Sequence, residues 1–214
     1  MTGPTHKQYS ICFGCLTMVL FYNIGLLEIN YYLALIIIMM TSKYGALFPD
    51  IDHDWKNVSN KTVINKILNY LIHLTGGRHR SWQTHSIDLC AVFTLLAFII
   101  PNMLYNMNKI TIVNREILSI LWLGFASGWI SHIFSDMLTS AGVRLFCFLK
   151  FKVKLVPKKL GPIVFNTGHE WEAFNYKVIK LINIILGIIC LGYPFITDIN
   201  KYRAIIDNLN FGGI

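Results

Sequence analysis

The chain has 214 residues, of which 54% are hydrophobic and only 14% charged, with a formal net charge of +8. Soluble domains carry about 25% charged residues, so at a mean hydropathy of +0.51 there are too few charges to coat a water-facing globule. These figures exclude a disordered chain, a collagen-like fibre and an ordinary soluble enzyme, and they point to an integral membrane protein with a single domain over 1–214.

A membrane-spanning helix needs roughly 20 mostly apolar residues. The first candidate run, 11–27, is interrupted strongly only by Asn23. Glu28-Ile29-Asn30-Tyr31-Tyr32 follows it in place of a small-x-small cleavage site, which predicts a retained helix rather than a signal peptide. Cys12 and Cys15 lie inside it. With five cysteines in all and no βαβ pattern beside them, they read as small apolar residues one turn apart, not as a redox pair or part of a disulfide framework. The second run, 30–48, contains Thr41, Ser42 and Lys43, so it breaks there or lies partly in the interface. From Lys61 to Leu74, Val63, Ile64, Ile67, Leu68, Leu71 and Ile72 recur at helical spacing before Gly76-Gly77. That stretch is short for a span and predicts a helix lying in the interface. Further spans are expected at 87–105 and 116–138. Lys alternates with apolar residues from Lys150 to Leu155, and Lys158-Lys159-Leu160-Gly161-Pro162 turns that segment back toward Ile163–Phe165, the pattern of a small β-hairpin. The last span is 178–197. The expected fold is an all-α polytopic membrane helix bundle of four to five spans, with one interfacial helix and one small hairpin.

With five spans and the N-terminus inside, only Lys109, Arg115, Lys201 and Arg203 fall on the far side. The other fifteen of the 19 Lys and Arg share one side. By the positive-inside rule that side is the cytoplasm. The excess charge favours contact with anionic membrane lipids. Charge alone speaks for nucleic acid, and no such partner is expected.

The polar residues converge under this topology. His6 precedes the first helix; Asp50, Asp52 and His53 follow the second; His79 and His85 precede the third; His132 and Asp136 end the fourth. All are cytoplasmic ends, although orientation was read from Lys and Arg alone. His132 and Asp136 share a helix face at i, i+4, a spacing that suits one divalent cation or two adjacent ones. Gly128 and Gly124 continue the same stripe and permit close helix contact. Ionisable residues within a membrane helix are costly and usually functional. Pro49 disfavours helical geometry at Phe48, and Asp50 and Asp52 point the same way if the segment is extended. Arg78 and Arg80 bracket His79, and arginine suits bidentate contact with phosphate.

Together these residues resemble the YdjM family of membrane-bound, metal-dependent hydrolases, some of them LexA-regulated. The likeness runs to about Phe174. It includes Thr5-His6, Leu47-Phe48-Pro49-Asp50-Ile51-Asp52-His53, His79-Arg80 with Thr84-His85-Ser86, and Ser131-His132 through Asp136 to Thr139, running into Ala141-Gly142-Val143. Gly168 with Glu172 fits the family's final motif, with His169 and Glu170 as rival ligands. The family block commonly reads His-Arg-Gly-x-Thr-His-Ser; here one residue is added and Ser81 replaces the glycine. The resemblance implies hydrolysis at a metal centre, and the HxxxD segment looks like that of zinc phospholipases C.

The expected ligands are therefore His6, Asp52, His53, His85, His132 and Asp136, with Glu172 as a further candidate. This exceeds the three protein ligands and one water of a typical catalytic zinc, so two ions sharing an aspartate would fit. Asp50 is the candidate general base or orienting partner, and Arg80 the candidate phosphate contact. The expected activity is hydrolysis of a phosphoester or phospholipid-like substrate, an anionic small molecule or lipid, at the cytoplasmic face of a bacterial cytoplasmic membrane. The alternative is a protein that binds or transports a divalent metal without hydrolysis. A transporter places polar groups near the midplane, and Phe93–Ile100 and Ile184–Cys190 are nearly bare of them.

Overall fold

The computed structural model describes residues 1–155 and 170–210, apart from 26, 28, 59 and 60, with side chains to residue 197. The described chain forms α1 (Gly3–Asn23), α2 (Tyr31–Gly45), α3 (Val63–Leu74), α4 (Trp82–His85), α5 (Ile87–Asn106), α6 (Ile112–Met137) and α7 (Glu170–Asn210). Two 3-10 turns, Pro49–Asp52 and Trp55–Asn57, follow α2. Four stretches are long and apolar enough to cross a membrane: Tyr31–Asp52, Ile87–Asn106, Ile112–Met137 and Glu170–Thr197.

Helix α6 is the centre of the bundle. It packs on α1, α2 and α5, and α7 lies against α1. The most apolar window of α6 is 56% buried, against 17% for those of α5 and α7, which marks the last two as the helices most open to the surroundings. Leu33, Ile36, Met40 and Tyr44 of α2 and Leu181, Ile184, Ile188 and Leu191 of α7 are exposed at helical spacing. In water such apolar stripes would drive aggregation; against acyl chains they cost nothing. The chain is an all-α, polytopic integral membrane protein.

Helix α1 starts eight residues before the apolar run that predicts it. Its opening turns carry Thr5, His6 and Ser10, all buried. Thr5 meets the Thr2 hydroxyl, His6 meets Ser135, and Ser10 donates to the Lys7 carbonyl, so each side chain has a polar partner inside the bundle, and a hydropathy reading discounts them. The five cysteines are free.

Helix α3 confirms the expected short amphipathic helix, but with its faces reversed from those of a soluble protein. Val63, Ile64, Ile67, Tyr70 and Leu74 are exposed, while Asn69 is buried. The Asn69 side-chain amide donates to the carbonyls of Ile51 and His53, so the polar face of α3 is pinned over the turn after α2. The Thr62 hydroxyl caps the helix by accepting from the Asn65 N–H.

The Lys150–Leu155 segment does not form a strand. Val153 pairs with Val143 in one isolated antiparallel bridge, and the expected return at Ile163–Phe165 lies outside the described residues. The bridge follows α6 directly, and Leu155 N–H donates to the Met137 carbonyl. The segment therefore folds back over the end of α6 that carries His132 and Asp136.

Candidate metal centre

Four chain segments meet at this end of the bundle. Helix α1 brings His6, the Pro49–Asp52 turn brings two aspartates, the single-turn α4 brings His85, and the last turns of α6 bring His132 and Asp136. Pro49 sits at the first position of its turn, where its fixed φ and missing N–H are tolerated. Because the segment is a 3-10 turn and not extended, residues two apart do not share a face. Asp50 and Asp52 therefore look to different partners, contrary to the extended reading, and Ile51 is buried between them.

The three inner histidines are wholly buried, and each has its Nδ1 engaged. His132 Nδ1 lies 2.6 Å from the Ala46 carbonyl, to which it can only donate. His6 Nδ1 lies 2.7 Å from Ser135 Oγ; that hydroxyl donates to the His132 carbonyl, so it accepts from His6. His85 Nδ1 lies 3.2 Å from Asp52 Oδ2. All three rings thus carry the proton on Nδ1 and hold the Nε2 lone pair free. The Nε2 atoms of His85 and His132 are 3.2 Å apart. Asp136 Oδ2 is 3.7 Å from the first and 3.8 Å from the second. His6 Nε2 is 3.5 Å from Asp136 Oδ1 and has no hydrogen-bond partner although it is buried. Asp50 Oδ1 is 3.7 Å from His132 Nε2.

These separations, 3.2–3.8 Å, are close to those of a metal's ligand shell. Bond lengths of about 2.0–2.2 Å to zinc put tetrahedral ligand atoms about 3.3–3.6 Å apart. Buried lone pairs facing one another are unfavourable without a shared proton or cation. The groups His6–His132–Asp136 and Asp50–His85–His132 each bring their ligand atoms within 4.8 Å of one another, and they are able to hold a metal ion.

Asp52 is completely buried and surrounded by donors. It accepts from the Thr84 hydroxyl at 2.6 Å and the Ser81 N–H at 3.3 Å, with His85 on the same oxygen and His79 Nδ1 at 3.3 Å from the other. Asp50 is also buried, yet it accepts no hydrogen bond among the described residues. Arg80 is buried and adopts a positive φ of 62°, a region that costs a non-glycine residue about 1–2 kcal/mol. Its Nε and Nη2 approach the two Asp136 oxygens at 2.9 and 3.1 Å, and its Nη1 donates to Thr139. The Met1 amino group also contacts Asp136, at 2.7 Å.

The remaining sequence candidates lie further out. The His53 ring stacks on His79 at 3.5 Å, half-buried. Burial, followed by the neighbouring His79, lowers its pKa from the usual imidazole value. Glu172 accepts from the Thr2 N–H and hydroxyl at the start of α1, where a carboxylate suits the helix dipole. Sequence reasoning gave no role to His79, Thr84 or Ser135. Ser135 and Thr84 are direct sequence neighbours of Asp136 and His85; a search for hydroxyls beside each candidate ligand would have found them.

No curated protein and no solved structure matches the chain. The family described as YdjM inner membrane protein matches residues 1–197, a stretch that takes in the whole cluster of histidines and aspartates. The chain belongs to the YdjM inner membrane protein family.

Proposed function

We propose that the protein is a metal-dependent hydrolase, acting on a phosphoester of an anionic lipid or small molecule at the cytoplasmic membrane face. The observation that carries this reading is the common tautomer of His6, His85 and His132, each held by a bond at Nδ1 with Nε2 turned toward Asp136 and Asp50. Such outer partners orient metal-ligating histidines and raise their basicity. His85, His132, Asp136 and His6 are the proposed ligands for one inner zinc, with Asp50 at its side. Asp52 takes the orienting part, the reverse of the assignment from sequence, because its lone pairs are already filled and those of Asp50 are not. Glu172 is left with an anchoring role at α1.

A zinc ion, when bound, would supply Lewis acidity and lower the pKa of water toward neutrality. The chain's own groups do the rest. Arg80 Nη1 and Nη2 each keep one further N–H beyond their contacts with Thr139 and Asp136, and these suit a substrate phosphate oxygen. Membrane lipid is the expected partner surface, since the exposed face of α3 is apolar and Lys56 and Lys61 before it and Lys66 within it are cationic.

Purified protein should retain zinc and cleave a generic phosphodiester or phospholipid vesicles. Chelation should abolish cleavage and added zinc restore it. A zinc-replete protein that cleaves neither substrate would leave metal binding or transport as the function. Sidedness has its own test. In intact cells expressing a Cys147→Ser background, Asn108→Cys should react with a membrane-impermeant maleimide and Lys56→Cys should not. Labelling of Lys56→Cys with Asn108→Cys protected would put the site on the other face.

A further inference from the structure

We propose that a second divalent cation binds outside the first, between Asp50, His53 and His79. This rests on the inner cluster being a metal site, and it gives a role to the two histidines that the inner cluster leaves unused.

Asp50 belongs to both groups. Its ligand atom lies within 4.8 Å of those of His85 and His132 on one side, and of those of His53 and His79 on the other. A buried carboxylate that accepts no hydrogen bond among the described residues, flanked by two sets of imidazoles, has the placement of a carboxylate shared by two ions. Asp52 repeats the pattern one step out. Its Oδ2 holds His85 Nδ1 at 3.2 Å and its Oδ1 holds His79 Nδ1 at 3.3 Å. One aspartate thus orients one histidine of each group, and His79, like His85, is left with Nε2 as its free donor atom. A carboxylate on the far nitrogen of a ligating imidazole is a recurring feature of metal sites.

The outer group is built to exchange with water. The inner imidazoles are fully buried, while the His79 side chain is 36% exposed. His53 and His79 line an open cavity of about 360 Å³ together with Asp54, His73 and Arg78. The His53 ring makes no hydrogen bond among the described residues, and it lies face to face with His79 at an interplanar angle of 22°. Imidazole lone pairs lie in the ring plane, so two parallel rings do not aim at one point. Binding therefore swings the untethered His53 ring out of the stack while Asp52 keeps His79 in place. The cavity leaves room for water or a substrate oxygen at the outer ion.

The test is metal stoichiometry on the purified full chain, by elemental analysis after equilibration with zinc alone. The wild type should hold two zinc ions per chain, one of them removed by a weak chelator. The double variant His53→Ala/His79→Ala should hold one, and that retained ion shows that the inner site and the fold survive. Asp54→Asn, in the same cavity but outside the ligand group, should still hold two. Saturation of the wild type at one ion, or two ions persisting in the double variant, would overturn the outer site while leaving the inner one. No zinc in the wild type would overturn both.

Discussion

His132→Ala should abolish zinc binding at the inner site while the protein still inserts in the membrane. The side chain takes part in both inner groups, and its ring stacks on His6 at 3.7 Å, so no neighbour can take its place. Removing a ligand should exceed the 10–100-fold loss in affinity typical of outer-shell changes. Asp52→Asn supplies that comparison: it keeps the size of the side chain but weakens its grip on His85, and a loss of about 10–100-fold is expected. A competition titration against a chromophoric chelator measures both. Insertion depends on the apolar side chains of the spans, and both changes leave all of those in place. Asp136→Ala is the less clean experiment. It strips a buried Arg80 of its carboxylate, and breaking a buried pair from one side costs about 3–5 kcal/mol. A lower folded yield is expected there, eased when Arg80→Met is added. Zinc affinity of His132→Ala equal to wild type would reduce the His–Asp cluster to a hydrogen-bonded core.

Gly128→Ala should be among the most disruptive single-methyl changes outside the site. A Cβ at Gly128 would overlap the Ser42 carbonyl and crowd Ala46 N at 2.7 Å, both backbone atoms of the facing segment. Backbone cannot rotate aside, so α2 and α6 must separate. Overpacking commonly costs about 1–3 kcal/mol, and each kcal/mol shifts Tm by about 2–4 °C in a chain of this size. The functional effect follows from the same contact. The carbonyl that fixes the His132 tautomer belongs to Ala46, so separating the helices also releases the imidazole. Gly128→Ala should therefore lower Tm and zinc affinity together. Gly187→Ala on α7, where an added Cβ meets nothing within 4 Å, should leave both unchanged or raise Tm slightly. A Gly128→Ala protein with wild-type Tm and zinc content would show that α2 and α6 are not held at the distance described.

The membrane class, the helical fold and the end of the bundle where the buried histidines and aspartates gather were all legible in the amino-acid sequence. Apolar runs of spanning length must become helices in a bilayer, because no water is there to satisfy the backbone. Ionisable residues at the ends of those runs must find one another, because isolation in that setting is costly. The i, i+4 spacing of His132 and Asp136 placed them on one helix face without any tertiary information, and Gly124 and Gly128 marked the contacting side. What the sequence could not give was the division of labour within the cluster. Asp50 and Asp52 are the same residue type two positions apart, and periodicity cannot say which one faces the imidazole Nε2 atoms and which one meets their Nδ1. That was decided by the 3-10 turn after Pro49, which rotates the two carboxylates apart. Nor could it show that Glu172 anchors the start of α1, that the polar first turns of α1 are helical, or that Val153 pairs with Val143. Each of these depends on which distant segment lies opposite, and local propensity carries no record of it.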